Sequence, residues 1–129
     1  MTVEQMCCTP DQSKRFLDLG VEQKSYFYHT TLPSCIHLEY LPMNPKDSSD
    51  VIGAAFNVAE LGMMLPTGFD TMRVTEINGE YFRGYDNTGN DYPDQQCFKT
   101  EAEKRAQMII ALLETFEITP SEINVRLKN

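Results

Sequence analysis

Four segments of this chain carry the same helix-start signature, a small polar residue followed three positions later by Glu or Gln. The polar side chain can accept a hydrogen bond from the third helical N–H, and the Glu or Gln can bond back to the capping residue. The four segments are residues 9–12, 57–60, 100–103 and 119–122. The chain is therefore predicted to contain four helices.

The longest helix is predicted over residues 101–116. Its apolar residues recur at steps of three and four, which places them on one face. They are Ala102, Ala106, Ile109, Leu113 and Phe116. We therefore expect Ile109 and Leu113 to be buried. A second helix is predicted over residues 10–19 and should end at Gly20, which can adopt the left-handed conformation.

The strand-like runs between these helices lie near residues 25–29, 35–41, 71–77 and 80–86. Asn78-Gly79 separates the last two runs and is typical of a two-residue hairpin turn. Such a turn would place Ile77 opposite Glu80 and Val74 opposite Arg83. The pattern predicts an α+β fold, with a small antiparallel sheet packed against a long C-terminal helix and a shorter N-terminal helix.

The length favours one domain over residues 1–129. Within it we expect residues 1–8 to be flexible, 42–50 to form a loop and 119–129 to form a short terminal helix or tail. No apolar run approaches the ~20 residues that a membrane-spanning helix needs. The N-terminal residues also lack a secretion signal. These features predict a cytoplasmic protein.

The formal net charge is −8, and the basic residues are scattered. A nucleic-acid-binding surface needs clustered Lys and Arg, so direct binding to nucleic acid is not expected. The four cysteines form no CxxC pair, which argues against a zinc ribbon and against a thioredoxin-like dithiol.

The stretch YDNTGNDYPD, residues 85–94, resembles a calcium loop only superficially. When positions are counted from Asp86, the sixth is Asp91 instead of glycine and the twelfth is Cys97 instead of glutamate. Asp, Asn, Thr and Gly also bond their own backbone in turns. The stretch is therefore predicted to be a turn.

Cys35 and His37 are the residues closest to a catalytic or zinc-binding pair, because they share one face of a predicted strand. A zinc site needs two more ligands, and the only other histidine is His29. A thiol nucleophile also needs an orienting acid. No nucleotide-binding or hydrolase motif is present, so we predict no catalytic, cofactor-binding or metal-binding residues and no cofactor.

Three segments together resemble a family of small proteins of prophages and mobile elements, found mostly in gut Bacteroidetes and other anaerobes. They are QSKRFLDLGVEQKSYFYH (12–29), AFNVAELGMMLP (55–66) and TEAEKRAQMIIALLE (100–114). The family has no established activity and no accepted catalytic residues, so the resemblance implies only a bacterial cytoplasm and a gene of phage origin. This chain departs from the pattern at His29, where a tryptophan often follows Phe-Tyr, and after Ile118, where it has an additional segment.

The sequence thus favours a non-enzymatic accessory or protein-interaction module of mobile-element origin, with an unknown protein partner. One alternative is an acidic decoy that inhibits a host nucleic-acid-binding protein. Another is a small enzyme that uses Cys35 or His37. A homodimer is also expected, because the predicted hairpin has apolar residues on both faces and a second copy could cover one of them.

Overall fold

A computed structural model describes residues 2–31, 35–37, 50–77, 79–89 and 96–127, with the side chains of 35–37 excepted. The helices are α1 (Val3–Met6), α2 (Pro10–Asp18), α3 (Val58–Met64), α4 (Glu101–Glu114) and α5 (Pro120–Leu127). The strands are β1 (Phe27–Thr30), β2 (Cys35–His37), β3 (Val51–Ala54), β4 (Asp70–Glu76) and β5 (Gly79–Tyr85). The fold is α+β, as predicted.

The predicted helix starts are confirmed by their capping contacts. Thr9, Asn57, Thr100 and Thr119 each accept a hydrogen bond from the backbone N–H three residues later. Gly20 ends the first of these helices in the left-handed conformation, with φ 91°. These outcomes follow from local geometry, because each contact joins residues that are neighbours along the chain.

The N-terminal segment 1–8, which the sequence predicts to be flexible, contains a capped helix. Val3–Met6 forms α1, and Thr2 and Gln5 form a capping box at its start. The Cys8 N–H donates to the Phe56 carbonyl at 2.9 Å, and both Cys7 and Cys8 are buried. The end of α1 is therefore held against the segment that precedes α3.

The sheet is divided in two, which corrects the prediction of one sheet. β1 lies between β2 and β3 in an antiparallel three-stranded sheet, while β4 and β5 form a separate antiparallel hairpin. Val51–Ala54 supplies β3, the third member of the first sheet. Of the predicted strand 35–41 and loop 42–50, residues 38–49 lie outside the described residues.

The predicted hairpin register is wrong by two residues. Thr75 pairs with Glu80 and Val74 pairs with Tyr81, whereas the sequence placed Ile77 opposite Glu80. Gly79 belongs to the ladder as the partner of Glu76, and Ile77 is fully exposed beyond the last pair. A shift of two residues keeps every side chain on its predicted face, so the hydrophobic pattern cannot distinguish the two registers.

The core forms around α4, whose Ile109 and Leu113 are buried as predicted. Phe16 of α2 meets Phe56 edge to face, with ring centroids 5.5 Å apart. Phe116, predicted on the buried face of α4, is instead 89% exposed. The helix ends at Glu114, and Phe116 adopts φ 61°, so the chain reverses before its side chain can reach the core.

The chain after α4 folds back as a helix. Pro120–Leu127 forms α5, and its Ile123 is fully buried. Of the two possibilities that the sequence allows for segment 119–129, a short helix or a tail, residues 120–127 form the helix. Across the described ranges, no helix combines the length and apolar character that crossing a membrane requires.

Candidate functional site: a groove beside the hairpin

A groove of about 470 Å³ lies between the β4–β5 hairpin and the starts of α3 and α4. Its apolar lining comes from Met6, Val58, Ala59 and Phe82. Its polar lining includes Arg73 and Glu101. We refer to this feature as the hairpin groove. It is a shallow apolar surface with one cation and one carboxylate at its rim.

The helical wall of the hairpin groove depends on the contact between α1 and α3. Cys7 and Asn57 form an isolated antiparallel bridge, and the Asn57 side chain caps α3 through the Glu60 N–H at 2.9 Å. These contacts place Met6 beside Val58. The short α1, which sequence reasoning missed, thus supplies one apolar side chain of the wall.

Arg105 joins the hairpin to the helices. Its guanidinium donates to the Val58 carbonyl at 2.9 Å, to Thr71 Oγ1 at 3.2 Å and to Asp70 Oδ1 at 3.0 Å. The same group lies 3.4 Å from the Glu101 carboxylate, one turn earlier on α4. Arginine carries several donors in a fixed planar arrangement, which suits it to bind several acceptors at once. The base of the hairpin is thereby fixed against α3 and α4.

The far edge of β5 is held by residues that follow segment 90–95, which lies outside the described residues. The backbones of Phe82 and Phe98 exchange two hydrogen bonds, of 2.7 and 3.1 Å. Lys104 of α4 is fully buried; its ammonium lies 5.5 Å from the centre of the Phe98 ring and donates to the Gln96 carbonyl. The hairpin is thus anchored along β5 and at its base.

Arg73 and Glu80 set the electrostatics of the hairpin wall. The Arg73 guanidinium lies 5.8 Å from the centre of the Phe82 ring, within the range of a cation–π contact. It is also 3.9 Å from a Glu80 carboxylate oxygen, and the two side chains are 63% and 55% exposed. Two exposed cations, Arg73 and Lys99, with the Glu80 and Glu101 carboxylates close by, do not make the basic surface that nucleic acid requires.

The fold places His29 close to Cys8 and opposite Cys35, but the contact with Cys8 is to its backbone carbonyl. His29 is buried, and its Nε2 lies 2.6 Å from the Cys8 carbonyl oxygen. A carbonyl only accepts, so Nε2 of a neutral ring carries the proton. The β1–β2 register places Cys35 opposite His29 and His37 opposite Phe27. The side chains of Cys35 and His37 lie outside the described residues.

The thiol of Cys8 belongs to the same residue whose carbonyl oxygen His29 contacts. Its Sγ lies 4.0 Å from the Ala54 carbonyl, and the residue has no exposed surface. A nucleophilic thiol needs access to substrate and a depressed pKa. In the described part of the chain, no three His, Cys, Asp or Glu side chains form a group that could hold a metal ion.

The acidic stretch forms the predicted turn over its described part. Asp86 Oδ1 accepts from the Thr88 N–H at 2.9 Å and from the Thr88 hydroxyl at 2.6 Å. The Gly89 N–H donates to the Asp86 carbonyl at 3.0 Å, and Gly89 has φ 82°. Asp91, the other candidate calcium ligand, lies outside the described residues.

Sequence reasoning did not find the hairpin groove. The local signal closest to it is the spacing of Glu101 and Arg105, which predicts a pair on one turn of a helix. Nothing in the sequence indicates that the same guanidinium also reaches Val58 and Asp70. Comparisons with protein-family models, with curated proteins and with solved structures found no match for this chain. The resemblance to the mobile-element family therefore stays a prediction.

Proposed function

We propose that this chain is a non-enzymatic protein-interaction module of a bacterial mobile element, acting in the cytoplasm, and that the hairpin groove binds a segment of a partner protein. The observation that carries the proposal is the apolar floor of Met6, Val58 and Phe82 with the exposed Arg73 guanidinium above it. An extended segment with one large apolar side chain and a nearby carboxylate fits this surface. The origin and the compartment come from the sequence resemblance alone.

The contacts of the polar residues support a binding role over catalysis. Arg105 is engaged in joining elements, and Asp86 in shaping a turn. His29 is buried with one ring nitrogen on a carbonyl. Catalysis needs an acid, base or nucleophile within reach of substrate. Among the described residues that line the hairpin groove the carboxylate is Glu101, and it is paired with Arg105. An enzyme that uses Cys35 or His37 is the less supported alternative.

The decoy alternative has less support for a different reason. Asp70, Glu80, Glu101 and Glu114 each lie within 4.0 Å of an arginine nitrogen. A mimic of nucleic acid would need carboxylates that form a continuous, uncompensated surface. Arginine pairing neutralises these four groups locally, so the net charge of −8 does not by itself create such a surface.

Site-specific photo-crosslinking in the native host tests the binding role. A photoreactive residue at Met6, at the hairpin groove, should form a discrete product with one protein. The matched control is Leu17 on α2, also exposed. The Met6 product should weaken in a Phe82→Ala background. Equal products from both positions, or none from Met6, would show that the groove is not the binding surface.

A further inference from the structure

Arg73 and Thr75 of β4 direct their backbone N–H and C=O groups outward, away from β5, as the contacts of Phe82 show. The N–H and C=O of Phe82 both bond Phe98, on the side of β5 away from β4. The antiparallel ladder pairs Phe82 with Arg73, so this is a pair that exchanges no hydrogen bonds. The N–H and C=O of Arg73 therefore point away from β5, and alternation gives Thr75 the same orientation.

This outer edge of β4 is open in the part of the chain that the structure describes. β4 pairs there only with β5, and five of its seven residues are exposed. Natural sheets often protect such edges with proline, a bulge or charged side chains, especially lysine. β4, with the sequence DTMRVTE, contains neither proline nor lysine, and its ladder with β5 is regular over all seven pairs. Its three charged residues, Asp70, Arg73 and Glu76, are of both signs, so they repel a second strand only in some registers.

We propose that two copies of this chain pair antiparallel through their β4 edges, with Val74 on the twofold axis. In an antiparallel ladder, residues whose backbone groups point outward must lie opposite each other. Centring on Val74 satisfies this, because Arg73 of each copy then faces Thr75 of the other. The two hairpins form one four-stranded sheet, and four backbone hydrogen bonds join the copies at these two pairs.

Side-chain charge selects this register among those that the backbone permits. A register centred on Arg73 sets Arg73 against itself and Asp70 against Glu76. One centred on Met72 sets Arg73 against Thr71 and then Gly84 of the second copy, with no carboxylate to pair with the guanidinium. One centred on Thr75 sets Arg73 against the apolar Ile77. Like charges directly opposite are destabilising, whereas the Val74 register places no like charges opposite each other.

The same register brings opposite charges together on both faces of the sheet. Arg83 pairs with Met72 in the ladder, and its guanidinium lies 3.6 Å from the Met72 sulfur. Across the interface, Met72 lies opposite Glu76 of the second copy, so Arg83, Met72 and this Glu76 form one row of side chains across three strands. On the other face the row runs from Arg73 to Thr75 and then Glu80 of the second copy, because Thr75 and Glu80 are ladder partners. The strand is thus complementary to itself, which identifies a second copy as its occupant.

Light scattering of the full chain at micromolar concentration gives the first test. We expect twice the chain mass of 14.7 kDa. A mass of one chain at every concentration would overturn the inference. This result would leave the hairpin groove untouched, since its crosslinking test concerns a different protein and is read out at Met6, which lies outside β4.

Charge exchange then tests the register. Arg73→Glu alone and Glu80→Arg alone should each weaken dimerisation by about tenfold or more, because each places like charges across the interface. An equimolar mixture of the two variants should recover it, since each copy then offers the charge that the other lacks. In each variant, positions 73 and 80 of the same hairpin carry like charges, so mixing cannot restore an attraction within one copy. Recovery therefore reports only contacts between copies. A mixture as weak as the single variants would refute the Val74 register.

Thr75→Pro tests the edge itself. The Thr75 N–H points outward, so proline removes a bond between copies and no bond to β5. The variant should be monomeric with an unchanged circular dichroism spectrum, while the Thr75→Ala control stays dimeric. A folded Thr75→Pro variant that remains a dimer would contradict pairing through this edge.

Discussion

Strands β3 and β4 show how differently the two sheets are held. Gly53 and Ala54 of β3 are buried, and the Ala54 carbonyl and N–H are bound by Ser13 and Gln23 at 2.7 Å. β4 leaves most of its residues exposed and is anchored mainly by Arg105 at its first two residues. Buried residues of β1 and β3 hold the first sheet in place, whereas the hairpin depends on its ladder and on a few anchoring contacts.

This difference separates stability from recognition. Substitutions around the first sheet and α4 should change the free energy of unfolding of the whole chain, because those side chains share one core. Substitutions on the exposed hairpin should change association with little effect on folding. The division makes the hairpin the region where binding surface can vary at low cost to the fold.

The largest effect is expected in the shared core. Leu113→Ala should lower the free energy of unfolding by about 2–5 kcal/mol, because it removes buried methyl groups and leaves a cavity. Phe116→Ala, three residues later but exposed, is the matched control and should change it by less than about 0.5 kcal/mol. Urea denaturation measures both. Similar losses from the two variants would show that the core boundary at the end of α4 is misplaced.

A smaller loss is expected at Gly53. A Cβ at this position would lie 2.6 Å from Ser13 Oγ and 2.9 Å from Gln23 Oε1. Neither oxygen can move without breaking its bond to Ala54, so Gly53→Ala should cost about 1–3 kcal/mol. In a Ser13→Ala background the closest contact is absent, and the cost should shrink. Additive costs in the double variant would exclude this steric explanation.

A substitution at Arg105 should destabilise the hairpin while leaving the contacts of the first sheet in place. Arg105→Met keeps much of the side-chain volume but loses the bonds to Val58, Thr71 and Asp70, and should cost about 1–2 kcal/mol. Relative to the unchanged chain, the variant should show faster hydrogen exchange in β4 and β5, with a smaller increase in β1 and β3. Arg15→Met is the control, because its pair with Glu114 is 45% exposed on both sides and should contribute less than about 1 kcal/mol. Equal acceleration of exchange in both sheets would show that they unfold as one unit.

The sequence predicted what local geometry decides. Thr9, Asn57 and Gly20 took their expected roles because capping and helix termination involve residues three or four positions apart. The turn at Asp86 was predictable for the same reason. Ile109 and Leu113 were correctly placed because a 14-residue helix shows its buried face in its period.

The features that were missed depend on contacts between distant parts of the chain. Alternating apolar residues predict strands but not their partners, so one sheet could not be told from two. The groove needs Met6, Val58 and Phe82 side by side, and no local pattern joins them. Arg105 was assigned to a helix correctly, yet the acceptors that it reaches lie 34 to 47 positions away in the chain.

The smallest effect is expected in the pH dependence of stability, through Tyr28 of the first sheet. Burial raises the pKa of Tyr28 above its ordinary value of 10.0, and the nearby Glu60 charge acts in the same direction, against the hydrogen bond to Ser25. Above pH 10 the unfolded chain therefore releases this proton while the folded chain retains it, so stability should fall as pH rises from about 10. Thermal melts between pH 9 and 11, within the range around that pKa, should show a shallower decline for Tyr28→Phe than for the unchanged chain. Tyr26→Phe is the control, since Tyr26 is exposed, and it should leave the slope unchanged. If both variants reduce the slope equally, the decline comes from general alkaline charging and not from the buried hydroxyl of the first sheet.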